Sequence, residues 1–504
     1  MRLGTLGHIG YAVAATMLLV TSARAQTDTV PGVPKSMVTT HHRIVLNGKA
    51  LAYTARAGVL PIRHNDIGDP RGYVFFVSYS VDRAAGSPVR PLTFAWNGGP
   101  GSNALLVHLD ALGPRRLVTP TSANTSTLPV FEDNQATWLD QTDLVFVDPI
   151  GTGFSRPARP EFAQDFYGVL GDIAATVEFI RVYRTRFNAW DAPVYLAGES
   201  YGVWRAAGAA EAMEKGGQRV AGLILISGGI PLGPVVSDEM RTAMFVPTRT
   251  ASAFFHRKLP ADLQGDREHA IAESERWARE VYAPALARRD SLSPSERAAI
   301  VTNLSRFTGL DTNRIDRKTL VVDRQFLIDH LLDDRGQGAL GRFDTRQVGA
   351  APVDRLADAR RRALINGYLR QDLGFSTDLV YQGLDVGYSS SPNPQSVGAR
   401  WQYDQGDPNV PLVVHNTDGP PGGTPPWLRR AMDIDPSLRT FVATGVYDSL
   451  NSCPANAYLL RQIPPADAAR ITFRCYEGGH MMYEDRDARF ALDRDVTRFY
   501  RGEP

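Results

Sequence analysis

Cysteine is nearly absent, with two residues in 504, which excludes a small fold stapled by disulfides and leaves the chain to hold itself by its own core. Lysine is scarce too: only five of the 55 basic side chains are lysine. The arginines that replace it are spread over the whole chain, which points to a base-composition bias rather than to an anion site. Charge of one sign is missing, since 55 basic groups face 54 acidic ones for a net charge of +1. No long acidic or basic block occurs, so the field of a nucleic-acid binder is excluded and no nucleic-acid partner is expected. Beyond the first 20 or so residues no stretch approaches about 20 uninterrupted apolar residues, and no membrane span is expected. Internal repeats are absent. No HExxH or clustered Cys/His pattern is present, and the adjacent His41 and His42 fall in a polar leader, so neither a metal nor another cofactor is expected.

What is there begins with an export signal. Arg2 opens a short basic region, Ile9 to Val20 is apolar, and Ala23-Arg24-Ala25 is a small-residue cleavage site, so residues 1–25 read as a signal peptide. Residues 26–40 read as a flexible leader. The mature protein is then expected to be secreted or periplasmic. In an oxidising compartment Cys453 and Cys475, 22 residues apart, can pair, a link worth about 3 kcal/mol in the chain-entropy model; two separate buried thiols are the alternative. Asn124-Thr125-Ser126 and Asn303-Leu304-Ser305 match the glycosylation acceptor pattern, useful only in a host that glycosylates. Oligomeric state is not readable.

Length alone suggests roughly three units at about 150 residues each. Short apolar runs at 73–79, 92–96, 143–147, 193–197, 221–226, 440–443 and 471–475 are buried-strand signals. Helical patterns lie between them, with Ile173, Val177, Ile180 and Phe187 on one apolar face and 202–214 closed by Gly216-Gly217. Strands alternating with helices imply an α/β fold with a mostly parallel sheet. From 235 to 375 the text turns charged and helical and predicts an inserted helical lid; 41–234 and 376–504 form the core. Residues 386–428, rich in Gly, Pro, Ser and Asn, predict an irregular stretch.

The strongest chemical signal is Gly198-Glu199-Ser200-Tyr201-Gly202, directly after the run PVYLA and directly before a helix. A Gly-x-Ser-x-Gly in that context is a nucleophile elbow, in which a sharp turn lifts the Ser200 hydroxyl over the sheet edge. A serine needs a base and an orienting acid, in the order Ser, Asp, His on this fold. Asp448 in Gly-Val-Tyr-Asp follows the run TFVA, and His480 in Gly-Gly-His-Met follows ITFRC, both at strand ends. An oxyanion site is the remaining requirement: Asn97-Gly98-Gly99-Pro100-Gly101 follows LTFAW, and the backbone N–H groups of Gly99 and Tyr201 are the expected donors.

WNGGPGS (96–102), LGPRR (112–116), DPIGTGFS (148–155), GESYG, GVYD and GGHM, in that order, resemble the serine carboxypeptidase family of α/β-hydrolases, in particular its exported bacterial-type members. The resemblance runs from about residue 70 to the end, outside the inserted middle. It implies that Ser200, Asp448 and His480 are nucleophile, acid and base, and that the substrate is a peptide with a free C-terminus. It also implies that Asn97, Glu199 and a second glutamate bind the terminal carboxylate by sharing protons, which ties activity to acid pH. The second glutamate's position holds Ala111 here, with Asp110 beside it but not at the site. Trp96 directly precedes Asn97 instead of standing two residues earlier, so its ring is expected to face the other way. The same elbow also suits an esterase or acyltransferase, and a non-catalytic binder on a hydrolase scaffold is the third alternative.

Overall fold

The computed structural model describes residues 37–63, 66–118, 128–349, 355–384, 396–403 and 425–503. The export signal, Asn124 and most of the Gly/Pro-rich stretch lie outside them. The strands are β1 (Val38–Leu46), β2 (Lys49–Arg63), β3 (Pro70–Val81), β4 (Leu92–Trp96), β5 (Arg115–Val118), β6 (Val130–Asp133), β7 (Asp143–Val147), β8 (Arg156–Pro157), β9 (Val194–Glu199), β10 (Gly222–Ile226), β11 (Arg439–Gly445) and β12 (Ile471–Tyr476). Their order in the main sheet is β1-β2-β3-β7-β4-β9-β10-β11-β12, with β8 on β3 and β5-β6 apart as a two-stranded ribbon. From β7 to β12 every pairing is parallel, whereas β1, β2 and β3 are antiparallel.

The continuous apolar runs arise because the sheet is buried on both faces. Successive residues of β3 alternate between two cores: Phe76 faces one with Phe94, Leu196, Leu223 and Val442, while Phe75 and Val77 face the other with Ala95, Ala197, Ile224 and Phe441. Helix α1 (Val169–Arg186) and helix α2 (Gly202–Lys215) cover the first face, and the C-terminal helix Arg486–Tyr500 covers the second. A mostly parallel sheet between helical layers, with its loops gathered at the strands' C-terminal ends, is the α/β-hydrolase fold.

Three sequence expectations shift. The polar leader of 26–40 gives way at Val38, because β1 is already paired there, Val38 opposite Ala57. His41 and His42 are consequently strand residues, hydrogen-bonded to Thr54 and Thr40, with His42 stacked on Tyr53. No apolar run advertised β1, whose side chains alternate between exposed and half-buried until Ile44 and Leu46 are buried at its end. The inserted segment is helical from Asp238 onward and has its own apolar cluster, including Met244, Leu304, Leu331 and Leu340. Residues 355–375 pack elsewhere: Ile365, Leu369 and Phe375 join the sheet's second core. Among the described residues no helix is long and apolar enough to cross a membrane.

Candidate active site

Five parallel strands end at one edge of the sheet, where crevices of open α/β sheets take ligands. The loop after β4 carries Asn97–Gly99, that after β9 carries Ser200, that after β10 Ser227, that after β11 Asp448 and that after β12 His480. Asn97, Gly98, Gly99, Glu199, Ser200, Tyr201 and His480 line a common cavity of about 270 Å³.

The elbow is held by close backbone approach. Ser200 sits at φ 58°, a left-handed conformation that β-sheet and helix both exclude, and its N–H donates to the Ile226 carbonyl at 2.9 Å. A methyl group on Gly198 would lie 2.0 Å from the Gly202 carbonyl oxygen, and one on Gly98 would lie 2.5 Å from the Tyr201 nitrogen. The Asn97–Gly99 loop therefore lies directly on the turn that presents Ser200, with α2 starting behind it. Ser200 is partly exposed to the cavity. Trp96 points beneath this turn, its indole N–H donating to the Gly202 carbonyl at 2.9 Å, so it does not face the cavity.

His480 and Asp448 are brought together across β11 and β12. Nδ1 of His480 is 2.9 Å from Oδ2 of Asp448, both residues being buried. Asp448 also accepts from the Leu450 N–H at 2.8 Å and from the Asn451 amide at 3.0 Å. Burial alone pushes the imidazole of His480 down; the Asp448 carboxylate, its hydrogen bond and the more distant Glu199 outweigh it and hold the pKa above 6.5. Glycines again permit the contact, since a methyl group on Gly445 would lie 2.0 Å from the Gly479 carbonyl oxygen.

Around Glu199 the geometry belongs to side chains. Burial pushes the Glu199 carboxyl up, against the opposing effects of His480, Tyr483 and Asn97. The Tyr483 hydroxyl donates to its Oε2 at 2.5 Å. Asn97 uses Oδ1 to accept the Val107 N–H at 3.1 Å, and its Nδ2, beside Glu199, has no partner of good hydrogen-bond geometry although Asn97 is buried. Ala111 is buried and its carbonyl accepts from the Asn134 amide at 2.7 Å. Asp110 pairs with Arg361 at 2.8 Å instead of reaching the cavity wall.

Several participants escaped the motifs. Ser227 Oγ donates to the His480 carbonyl at 2.5 Å, and Asn451 ties Ser227 to Asp448. Arg205 and Asp172, both buried, form an ion pair at 2.8 Å under the elbow; Arg205 also donates to the Asn97 carbonyl at 2.9 Å, and the Tyr201 hydroxyl to Asp172 at 3.1 Å. The inserted segment reaches the site through Arg342 and Phe343, whose carbonyl accepts the His480 N–H at 2.6 Å. Cys453 and Cys475 are joined in a disulfide, Cα atoms 5.9 Å apart, between the helix after Asp448 and strand β12. Among the described residues no group of three or more His, Cys, Asp or Glu side chains could hold a metal ion.

Residues 64–273 match the family model described as serine carboxypeptidase. The pheromone-processing carboxypeptidase KEX1 of Komagataella phaffii is 34% identical over 157 residues, 29% of this chain and 22% of that protein. Serine carboxypeptidase-like 50 of Arabidopsis thaliana is 25% identical over 310 residues, 58% of this chain and 61% of that protein. The chain thus spans less than two thirds of the length of these relatives. The crystal structure of a prohormone-processing carboxypeptidase from Saccharomyces cerevisiae covers 89% of this chain and 91% of its own, at a TM-score of 0.46 and 15% identity. The matched span holds WNGGPGS, DPIGTGFS and the elbow in order, and over these residues the chain is similar to the serine carboxypeptidase family.

Proposed function

We propose that this chain is an exported serine-type carboxypeptidase that removes C-terminal amino acids from peptides. The observation that carries the reading is the buried Asn97 amide, whose Nδ2 has no well-aligned partner and stands beside a carboxyl whose burial favours its protonated form, in the cavity that also holds Ser200 and the Asp448–His480 pair. A donor amide and a protonated acid together suit a carboxylate, which a bare pair of ionised acids would repel.

In this reading Ser200 Oγ attacks the carbonyl carbon of the last peptide bond while His480 Nε2 takes its proton. Asp448 holds the Nδ1–H tautomer and stabilises the imidazolium. The N–H groups of Gly99 and Tyr201 receive the oxyanion, helped by the N-terminus of α2. His480 returns the proton to the leaving amine, the terminal amino acid departs, and water repeats the cycle on the acyl-enzyme. The order of strand ends gives the substrate a direction. With its carboxylate over β4 at Asn97 and its scissile carbonyl over β9, the rest of the peptide runs over β10 and β11. There an adjoining apolar cavity of about 150 Å³, with Ile230, Met244, Phe245 and Leu459 in its walls, is placed for the preceding side chain.

Export through residues 1–25 fits the Cys453–Cys475 bond, which an oxidising compartment preserves. The test is a pair of peptides differing only in a free or amidated C-terminus: the free acid is expected to be trimmed at least tenfold faster. Equal rates would favour the second reading, an esterase or acyltransferase, for which the small apolar Ala111 in place of an acid is the supporting feature.

A further inference from the structure

Position 111 supplies no acid to share a proton with Glu199, yet Glu199 is not left alone. Tyr483 lies three residues beyond His480 in the turn Met482–Glu484, fully buried, and its hydroxyl donates to Oε2 of Glu199 at 2.5 Å. One carboxyl oxygen is thereby occupied by a donor that cannot accept charge at ordinary pH, since burial and the Glu199 carboxylate both hold the phenol far above its usual range. The second oxygen, Oε1, is the one left for a ligand.

We propose, resting on the carboxypeptidase reading, that Tyr483 is a positioning residue for the substrate's terminal carboxylate: by holding Oε2 of Glu199 it makes Oε1 the oxygen that shares a proton with that carboxylate. Chemically, the neutral acid form of Glu199 has one oxygen that accepts and one that carries hydrogen. A fixed donor on Oε2 selects the form protonated on Oε1, and the Oε1 proton then bridges to a substrate oxygen while Asn97 Nδ2 donates to the same carboxylate. No bond to carbon changes in this step, and the proton stays within the pair.

The groups facing this carboxyl come from four elements: Asn97 after β4, Asp448 after β11, His480 after β12, and Tyr483 in the turn beyond it. Asp110 and Glu484 also act on Tyr483, Glu484 and Glu199 repel each other's charge, and Arg361 pairs with Asp110. His480 also titrates and would confuse a simple activity profile. It serves free and amidated substrates alike, however, so its titration cancels in the ratio of their kcat/KM values.

That ratio is expected to fall as pH rises, as Glu199 loses the shared proton. Removing a hydrogen-bond donor from a carboxylate raises its pKa, so Tyr483→Phe is expected to move the midpoint of the fall upward by about one pH unit and to lower the ratio at acid pH about tenfold, as the ordering of the proton is lost. Placing 3-fluorotyrosine at position 483 keeps the ring and strengthens the donor, and should move the midpoint downward. A midpoint that stays in place in both proteins overturns the role of Tyr483. A wild-type ratio near one at every pH is a different failure, that of the carboxypeptidase reading itself.

Discussion

The two walls of the cavity are built by different means. On the Ser200 wall, position is set by backbone pressed on backbone: an added methyl at Gly98, Gly198 or Gly445 would come within 2.5 Å of a main-chain atom. On the Glu199 wall, position is set by a side chain reaching from a distant part of the chain, Tyr483 to Glu199. The first wall admits no extra atom. The second can be altered one residue at a time. In the proposed reading, hydrolytic chemistry is the rigid property of this cavity and substrate choice the adjustable one.

The sharpest test of the rigid wall is Ser200→Ala, expected to reduce turnover of free and amidated peptides alike by about 10⁶-fold and to abolish labelling by a fluorophosphonate. Residual turnover within tenfold of wild type would place the nucleophile elsewhere. Asp448→Asn comes next, with an expected loss of about 10⁴-fold in kcat, because Asn stabilises the wrong tautomer of His480. It also carries a pH signature. His480 must be neutral to accept the Ser200 proton, and Asp448 holds its pKa above 6.5 despite burial, so activity on an amidated peptide should fall as pH drops through a value above 6.5. With the carboxylate gone, burial prevails and the limb should move to lower pH. An unmoved limb would uncouple the two residues.

A smaller effect separates geometry from chemistry. Gly98→Ala removes no functional side chain, yet its methyl would sit 2.5 Å from the Tyr201 nitrogen, a proposed oxyanion donor. Displacing that loop is expected to lower kcat about 10²-fold to 10³-fold on both substrates, and, because Asn97 stands on the same loop, to lower the free-to-amide ratio as well. An unchanged kcat on both substrates would remove the Tyr201 N–H from the oxyanion site.

This division also explains what could be read from the chain. Glycine requirements are local, so the elbow, the Asn97–Gly99 loop and the turns at Asp448 and His480 announce themselves as short motifs at the ends of apolar runs. The strands of the sheet's interior were legible because burial on both faces leaves no polar alternation in Phe75-Phe76-Val77 or in β10. β1 was not, since its edge position leaves half of each alternating pair in water. Tyr483 was invisible for another reason: it meets Glu199 across 284 residues, and nothing in Met481-Met482-Tyr483 states that its hydroxyl will arrive there. Ser227 and Asn451, 224 residues apart, are the same case.

Asn97 belongs to both walls and gives the finest distinction between them. Its carbonyl takes the Arg205 guanidinium and its Oδ1 the Val107 N–H, so main chain and side-chain oxygen fasten the loop, while Nδ2 alone has no such duty. Asn97→Asp retains the acceptor for Val107 and removes only the donor, setting a carboxylate in its place. If Nδ2 serves the substrate's carboxylate, kcat/KM for the free acid should fall about ten- to hundredfold, the range for a hydrogen bond to a charged group. The amidated peptide should lose much less, because it brings no charge for the new carboxylate to repel. A matched loss on both substrates would instead assign Asn97 to the backbone wall, as the fastening of the oxyanion loop, and would leave Glu199 and Tyr483 to recognise the carboxylate alone.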